Sequence, residues 1–267
     1  MQSNNPVFNR SGAFSSTAGA QRVNTPSAEQ LDQMYAAPSA TAADTGRMTY
    51  DDVVVKTGLT LGTVVAGAVV GWSLLPQMPG LFWPGLIAML VLGLVNAFKK
   101  QPSPALIITY AAVTGVVVGG FSVIIGSLVS GSAGNLVAQA VLATLCVSGA
   151  ALWAYRSGKV RVTPKFQRIL MIGMLGYGAF ILVNLGFMLF TDTGTFGFRS
   201  GILGVVIGLV AVGLAAMCLV MDFDFIDRGV KAGIPEKFAW TAAFGLTVTL
   251  VWMYMEILRL LAILQGE

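Results

Sequence analysis

Two stretches of this chain place carboxylates where their cost is high. Residues 219–230 read LVMDFDFIDRGV, an apolar run that meets Asp222, Asp224 and Asp227. Residues 250–264 read LVWMYMEILRLLAIL, with Glu256 inside the run and Arg259 three residues on. An acid at the centre of a bilayer costs roughly 2.5–3.5 kcal/mol on insertion scales, and residues that carry this cost commonly face a cavity and mark an ion or proton path. Deprotonated carboxylates are hard oxygen ligands suited to Ca²⁺. A few of them bind it weakly, which suits a leak, because the ion must leave as well as enter.

Helical geometry separates the acids. Asp224 and Arg228 are four apart and pair on one face, whereas Asp222 points about 200° away from Asp224 at 100° per residue. Asp222 is therefore the acid expected to look inward, and Asp224 and Asp227 are expected at a solvated helix end. Glu256 has two readings. Either it is neutralised locally by Arg259, or it is an ionisable group at the centre of the bundle.

Asp222 and Glu256 are 34 residues apart. The segment KAGIP at 231–235 carries the breakers Gly233 and Pro235 and reads as a turn. Two straight helices leading from that turn leave the acids far apart in depth. If EKFAWTAAFG at 236–245 lies in the interface and the chain bends near Gly245, Glu256 comes level with Asp222. The two are then expected to share one site and titrate as a unit.

The elements that position these groups follow from composition. Of 267 residues, 55% are hydrophobic and only 10% charged, histidine is absent and mean hydropathy is +0.77. A soluble domain has about 25% charged residues. Seven apolar segments of spanning length recur at 57–75, 80–98, 104–126, 135–155, 167–190, 200–221 and within 238–265. In lipid every backbone polar group needs an internal partner, so these segments are helices. The fold class expected is all-α, a polytopic membrane protein built as a seven-helix transmembrane bundle. Small-residue runs such as GTVVAGAVVG at 62–71, GVVVGG at 115–120 and GILGVVIG at 201–208 suit close helix packing. They lie inside spans, not at a strand-to-helix turn, which argues against nucleotide binding.

Charge gives the topology. Lys99 and Lys100, the group from Arg156 to Arg168, and Arg228, Lys231 and Lys237 fall in alternate loops, while the loops on the other side carry only Arg199. The basic loops and the N-terminus are expected in the cytoplasm. The pI of about 9.2 thus reflects orientation and not nucleic-acid binding. Residues 1–52 read as a disordered polar cytoplasmic tail and 53–267 as the membrane domain. Because the first apolar run follows that tail, it is expected to remain as a span and not to be cleaved. Cys146 and Cys218 lie inside apolar runs and read as packing residues.

Around the acids the chain resembles the Bax inhibitor-1 (transmembrane Bax inhibitor motif) family, in the form that includes the bacterial YetJ and YccA proteins. The similarity covers roughly residues 56–265, and NPVFNR at 5–10 matches a bacterial branch with a polar extension. The family's Tyr-Asp pair at the end of the sixth span is matched by Met221-Asp222, and its Tyr-Leu-Asp-Phe-like stretch by Tyr254-Met255-Glu256-Ile257. The resemblance implies that these two acids are the pH sensor of a calcium-leak pathway. It also implies a basic latch partner at the end of the second span, where NAFKKQPSP at 96–104 offers Lys99 or Lys100. Three features depart from the pattern: the second acid is Glu, Arg259 is charged, and the connection between spans six and seven is longer.

The function expected is a passive, pH-sensitive calcium or cation leak of the bacterial inner (plasma) membrane. Asp222 and Glu256 are the sensor and weak Ca²⁺ contact, Lys99, Lys100 or Arg259 the cationic latch, and Ca²⁺ the transported ion, with no cofactor and no enzymatic activity. The alternative is a regulator that binds a membrane protease or another envelope complex without transport. A proton-coupled transporter commonly shows inverted repeats, and none is evident. An intramembrane aspartyl protease needs a Gly-x-Gly-Asp signature, which is absent.

Overall fold

The computed structural model describes residues 27–29, 32, 46–129, 133–190 and 197–266. Seven long helices account for most of them: α1 (Tyr50–Leu74), α2 (Phe82–Phe98), α3 (Pro104–Gly126), α4 (Ala133–Arg156), α5 (Pro164–Phe190), α6 (Gly201–Lys231) and α7 (Ala239–Gly266). Each belongs to a segment long and apolar enough to cross a membrane. The chain is thus an all-α, polytopic seven-helix bundle. Short 3₁₀ turns at Pro79–Leu81, Gly197–Arg199 and Glu236–Phe238 precede α2, α6 and α7.

The helix α7 is the axis of the bundle. It packs against α1, α3, α4 and α6. Its buried face runs from Ala239 to Ile263 and includes Met253 and Leu258, both fully inaccessible. Hydroxyl pairs tie it to its neighbours, Thr60 to Thr247 at 2.9 Å and Ser122 to Tyr254 at 2.8 Å. By contrast α2 buries none of its residues and packs on α3, and α5 leans on α6. Those outer helices turn Ile87, Leu90, Ile172 and Leu175 outward, as lipid contact requires.

The closest approach joins α1 and α3. A Cβ on Gly71 would lie 2.1 Å from the Val116 carbonyl oxygen, and one on Gly119 would lie 2.1 Å from that of Ala68. No side chain fits at either position, so the small-residue runs at 62–71 and 115–120 are packing surfaces.

Three boundaries differ from those read off the sequence. First, α1 starts at Tyr50 behind a capping box: the Thr49 hydroxyl accepts from the Asp52 amide while the Asp52 carboxylate accepts from the Thr49 amide. The backbone before it pairs with the α6–α7 turn, Met48 N–H donating to Ile234 O and Glu236 N–H to Gly46 O, both at 2.8 Å. Residues 46–52 therefore belong to the bundle and not to a tail. The disorder expected for the rest of 1–45 lies outside the described residues, apart from residues 28, 29 and 32, which are helical.

Second, α6 continues to Lys231, a length of 31 residues. At 1.5 Å per residue this is about 46 Å, more than the ~30 Å hydrocarbon core. It ends at the expected turn. The Gly233 N–H donates to Val230 O and the Ile234 N–H to Gly229 O, with Gly233 at φ +63°. That is a Schellman cap, which needs the left-handed conformation glycine adopts without strain.

Third, α7 is unbroken from Ala239, so the interfacial segment and the bend expected near Gly245 do not form. The reason is local. Ala239 and Ala243 are fully inaccessible and Ala242 nearly so. Small side chains pull the first turns of α7 into the bundle instead of leaving them at its edge.

Candidate functional site

The two inward acids occupy different surroundings. Asp222 sits on α6 four residues after Cys218, within the last third of the helix. The Thr249 hydroxyl on α7 donates to Asp222 Oδ2 at 2.7 Å. No ion pair to Asp222 is present among the described residues. The carboxylate lines a cavity of about 270 Å³ shared with Asn96 and Lys99 from α2 and with Thr241, Phe244 and Gly245 from α7. Gly245 borders the carboxylate without crowding it: a Cβ at that position would meet only Asp222 Oδ1, at an ordinary contact distance of 3.8 Å. Lys99 is the C-cap of α2 and lines the cavity, whereas Lys100 does not.

Glu256 is deeply buried on α7, at 4% exposure, and its oxygens are saturated. The Tyr177 hydroxyl on α5 donates to Oε1 at 2.5 Å. The Arg199 guanidinium donates to both Oε1 and Oε2 at 2.9 Å and to the Tyr177 hydroxyl oxygen. Arg259, one turn along α7 and itself 5% exposed, donates to Oε1 at 3.2 Å and also pairs with Oε2. One carboxylate thus faces two guanidiniums in an enclosed site. The Nε of each arginine is buried with no hydrogen-bond partner among the described residues.

Arg199 reaches this site because Gly197–Arg199 turns back under α5. The Asn184 side chain accepts from the Phe198 N–H at 2.8 Å, and Gly197 adopts φ +57° against Asn184 Oδ1, which a Cβ would approach to 2.6 Å. The Arg199 guanidinium lies 5.6 Å from the Tyr177 ring, and that ring lies 5.7 Å from Trp252.

Asp222 and Glu256 therefore do not form the shared site expected of them. Along α7, the Asp222 contact at Thr249 and Glu256 are seven residues apart, or about 10 Å of rise. Gly208 of α6 packs on Leu260 of α7, which puts Glu256 level with the middle of α6, well before Asp222. The unbroken course of α7 is the cause. Both Glu256 oxygens are occupied by guanidiniums, and no group of three or more His, Cys, Asp or Glu side chains converges among the described residues. Of these two acids, Asp222 is the one that lines a described cavity.

The other charges behave as helix-end pairs. Arg228 pairs with Asp224, Lys231 with Asp227 at 2.6 Å, and Lys56 with Glu236 at 2.7 Å. The Tyr50 hydroxyl also donates to Asp227 at 2.7 Å. Of the three candidate latches, Arg259 holds Glu256; Lys99 and Lys100 are both exposed, and Lys99 shares a cavity with Asp222 without pairing to it. Arg199 and Tyr177 were not singled out by the sequence reading. The one available signal was that Arg199 is the lone basic residue in the loops of its side.

No curated protein matches the chain. The family model described as Bax inhibitor 1 like does match it, over residues 5–266. That span takes in all seven helices, both inward acids and the arginines around Glu256, and it places the chain in the Bax inhibitor 1 like family.

Proposed function

We propose that this protein is a pH-sensitive passive leak for calcium or other cations, of the bacterial YetJ/YccA-like branch, in which Asp222 is the titrating group. The observation that carries the reading is a carboxylate inside a spanning helix with one oxygen open to a small cavity and a lysine at the cavity wall. Ionised, Asp222 offers a hard oxygen at an inward position that no cation among the described residues occupies, and it attracts Lys99 electrostatically. Protonation removes that attraction and the site for a metal cation together. The other titratable groups near it are Lys99 on α2 and Cys218 one turn back on α6; its remaining neighbours, Asn96, Thr241 and Thr249, are neutral. Glu256 serves as a fixed tie between α5, the α5–α6 connection and α7.

The lysine and arginine asymmetry supports a cytoplasmic N-terminus and a cytoplasmic position for the Asp222 cavity, in an inner (plasma) membrane. Calcium flux into proteoliposomes containing only this protein, measured across pH, tests the function. Flux is expected to vary with pH in the parent, and Asp222→Asn is expected to flatten it to a constant rate. A parent without flux, or an Asp222→Asn variant with the parent's pH profile, would refute the reading.

One observation favours the second reading, a membrane regulator that binds a protease or another envelope complex without transport. The Glu256 site carries one more positive charge than negative, which opposes passage of a divalent cation through that half of the bundle. Absence of flux in the same liposomes, together with capture of a membrane protein partner from native membranes, would support it.

A further inference from the structure

A second cavity lies on a different face of α6 from the Asp222 site. It measures about 1100 Å³ and sits between α1, α4, the α4–α5 connection and α6, at the basic end of the bundle. Its walls are mostly apolar, formed by Val54, Leu152, Val162 and Phe223 among others. It reaches inward from Tyr50 at least to Thr57 on α1, seven residues or about 10 Å of helix.

The rim has surplus positive charge. Asp224 and Asp227 line it, but Arg228 and Lys231 neutralise each of them within α6. Arg156 and Arg161 also line it, and neither has an ion-pair partner among the described residues. Both are exposed, whereas the neighbouring Lys159 lies over the Trp153 ring at 4.3 Å. At the inner end, Thr57 contributes to the wall while its hydroxyl oxygen is enclosed within the bundle.

We propose that this cavity binds an anionic phospholipid. Arg156 and Arg161 take the headgroup phosphate by charge-assisted hydrogen bonds. The upper part of an acyl chain lies below it against Leu152 and Phe223. Two features fit this occupant together: cations without ion-pair partners among the described residues lie at the rim, and an apolar wall continues about two turns deeper. A soluble anion would use only the first.

The test is lipid retention by the full-length protein in detergent, read by native mass spectrometry with phosphatidylglycerol and with phosphatidylcholine of the same chains. The parent is expected to retain phosphatidylglycerol in preference to phosphatidylcholine. The Arg156→Gln/Arg161→Gln variant changes two exposed side chains and is expected to hold phosphatidylglycerol roughly 30-fold more weakly. Lys165→Gln/Arg168→Gln makes the same change in charge away from the cavity and is expected to behave like the parent. Leu152→Trp, which fills the chain site from a half-exposed position, is expected to lose the lipid while keeping the helical spectrum. Millimolar glycerol 3-phosphate is expected to leave the lipid in place. Equal retention of the two lipids by the parent would overturn the proposal. So would equal losses in the two charge variants, or displacement by glycerol 3-phosphate, which would mark a site for soluble anions.

Discussion

The two inward acids, one on α6 and one on α7, show how differently a bundle can treat the same functional group. Glu256 is enclosed, with two arginines and a tyrosine around it and both oxygens engaged. Asp222 has one hydroxyl donor and an adjoining cavity. The first arrangement is stiff, because moving any member leaves another charge buried without a partner. The second is compliant, because Asp222 can change its charge or its neighbour without dismantling the packing. A group that senses or binds must be able to change state. The proposed switch is therefore Asp222, with Glu256 as the proposed fixed tie.

The comparison breaks most sharply at Glu256. Glu256→Gln leaves Arg199 and Arg259 facing each other without a counter-charge, and truncating one member of a buried ion pair costs about 3–5 kcal/mol. Thermal unfolding in detergent should show it as the most destabilised variant of this group. A midpoint close to the parent's would mean that water reaches the site and that it is not the stiff one.

Arg199→Gln should cost less, about 1–3 kcal/mol, since Arg259 still balances Glu256 and one excess positive charge is removed. If Arg199→Gln proved as damaging as Glu256→Gln, the excess of guanidiniums would not be the reason for the Glu256 effect. In that case the anchoring of the α5–α6 connection would be.

On the compliant side, Thr249→Val deletes the one side-chain hydrogen bond to Asp222 among the described residues. It should cost about 1 kcal/mol in stability and shift the pH dependence of calcium flux, which Asp222→Asn should abolish. An unchanged profile in Thr249→Val would separate the hydroxyl from the switch. The smallest stability effect is expected at α2. Lys99→Gln and Lys100→Gln should both lie within about 0.5 kcal/mol of the parent. Only Lys99→Gln should displace the flux profile, because only Lys99 lines the Asp222 cavity. Equal displacement by both would reduce the latch to a general surface-charge effect.

Local features of this protein were legible in its sequence. The spans follow from runs of apolar residues, because a bilayer imposes length and internal hydrogen bonding on whatever crosses it. The α6–α7 turn follows from Gly233 and Pro235, and the Asp224–Arg228 pair from a spacing of four residues on one helix. Arg259 beside Glu256 is equally local. Each of these depends only on the geometry of a single element.

Tertiary structure decided the rest. Whether α7 bends at Gly245 depends on how Ala239 and Ala243 fit among their neighbours, and that fit sets the depth of Glu256. Arg199 lies 57 residues before Glu256 and Tyr177 lies 79 before it. Their meeting depends on how α5 and α6 are rotated and offset against α7, which no periodicity records. Both acids could be named from composition and helical phase. Which of them is locked and which is free was set by the partners that other helices deliver, because in a medium of low dielectric the state of a charge is fixed by what surrounds it.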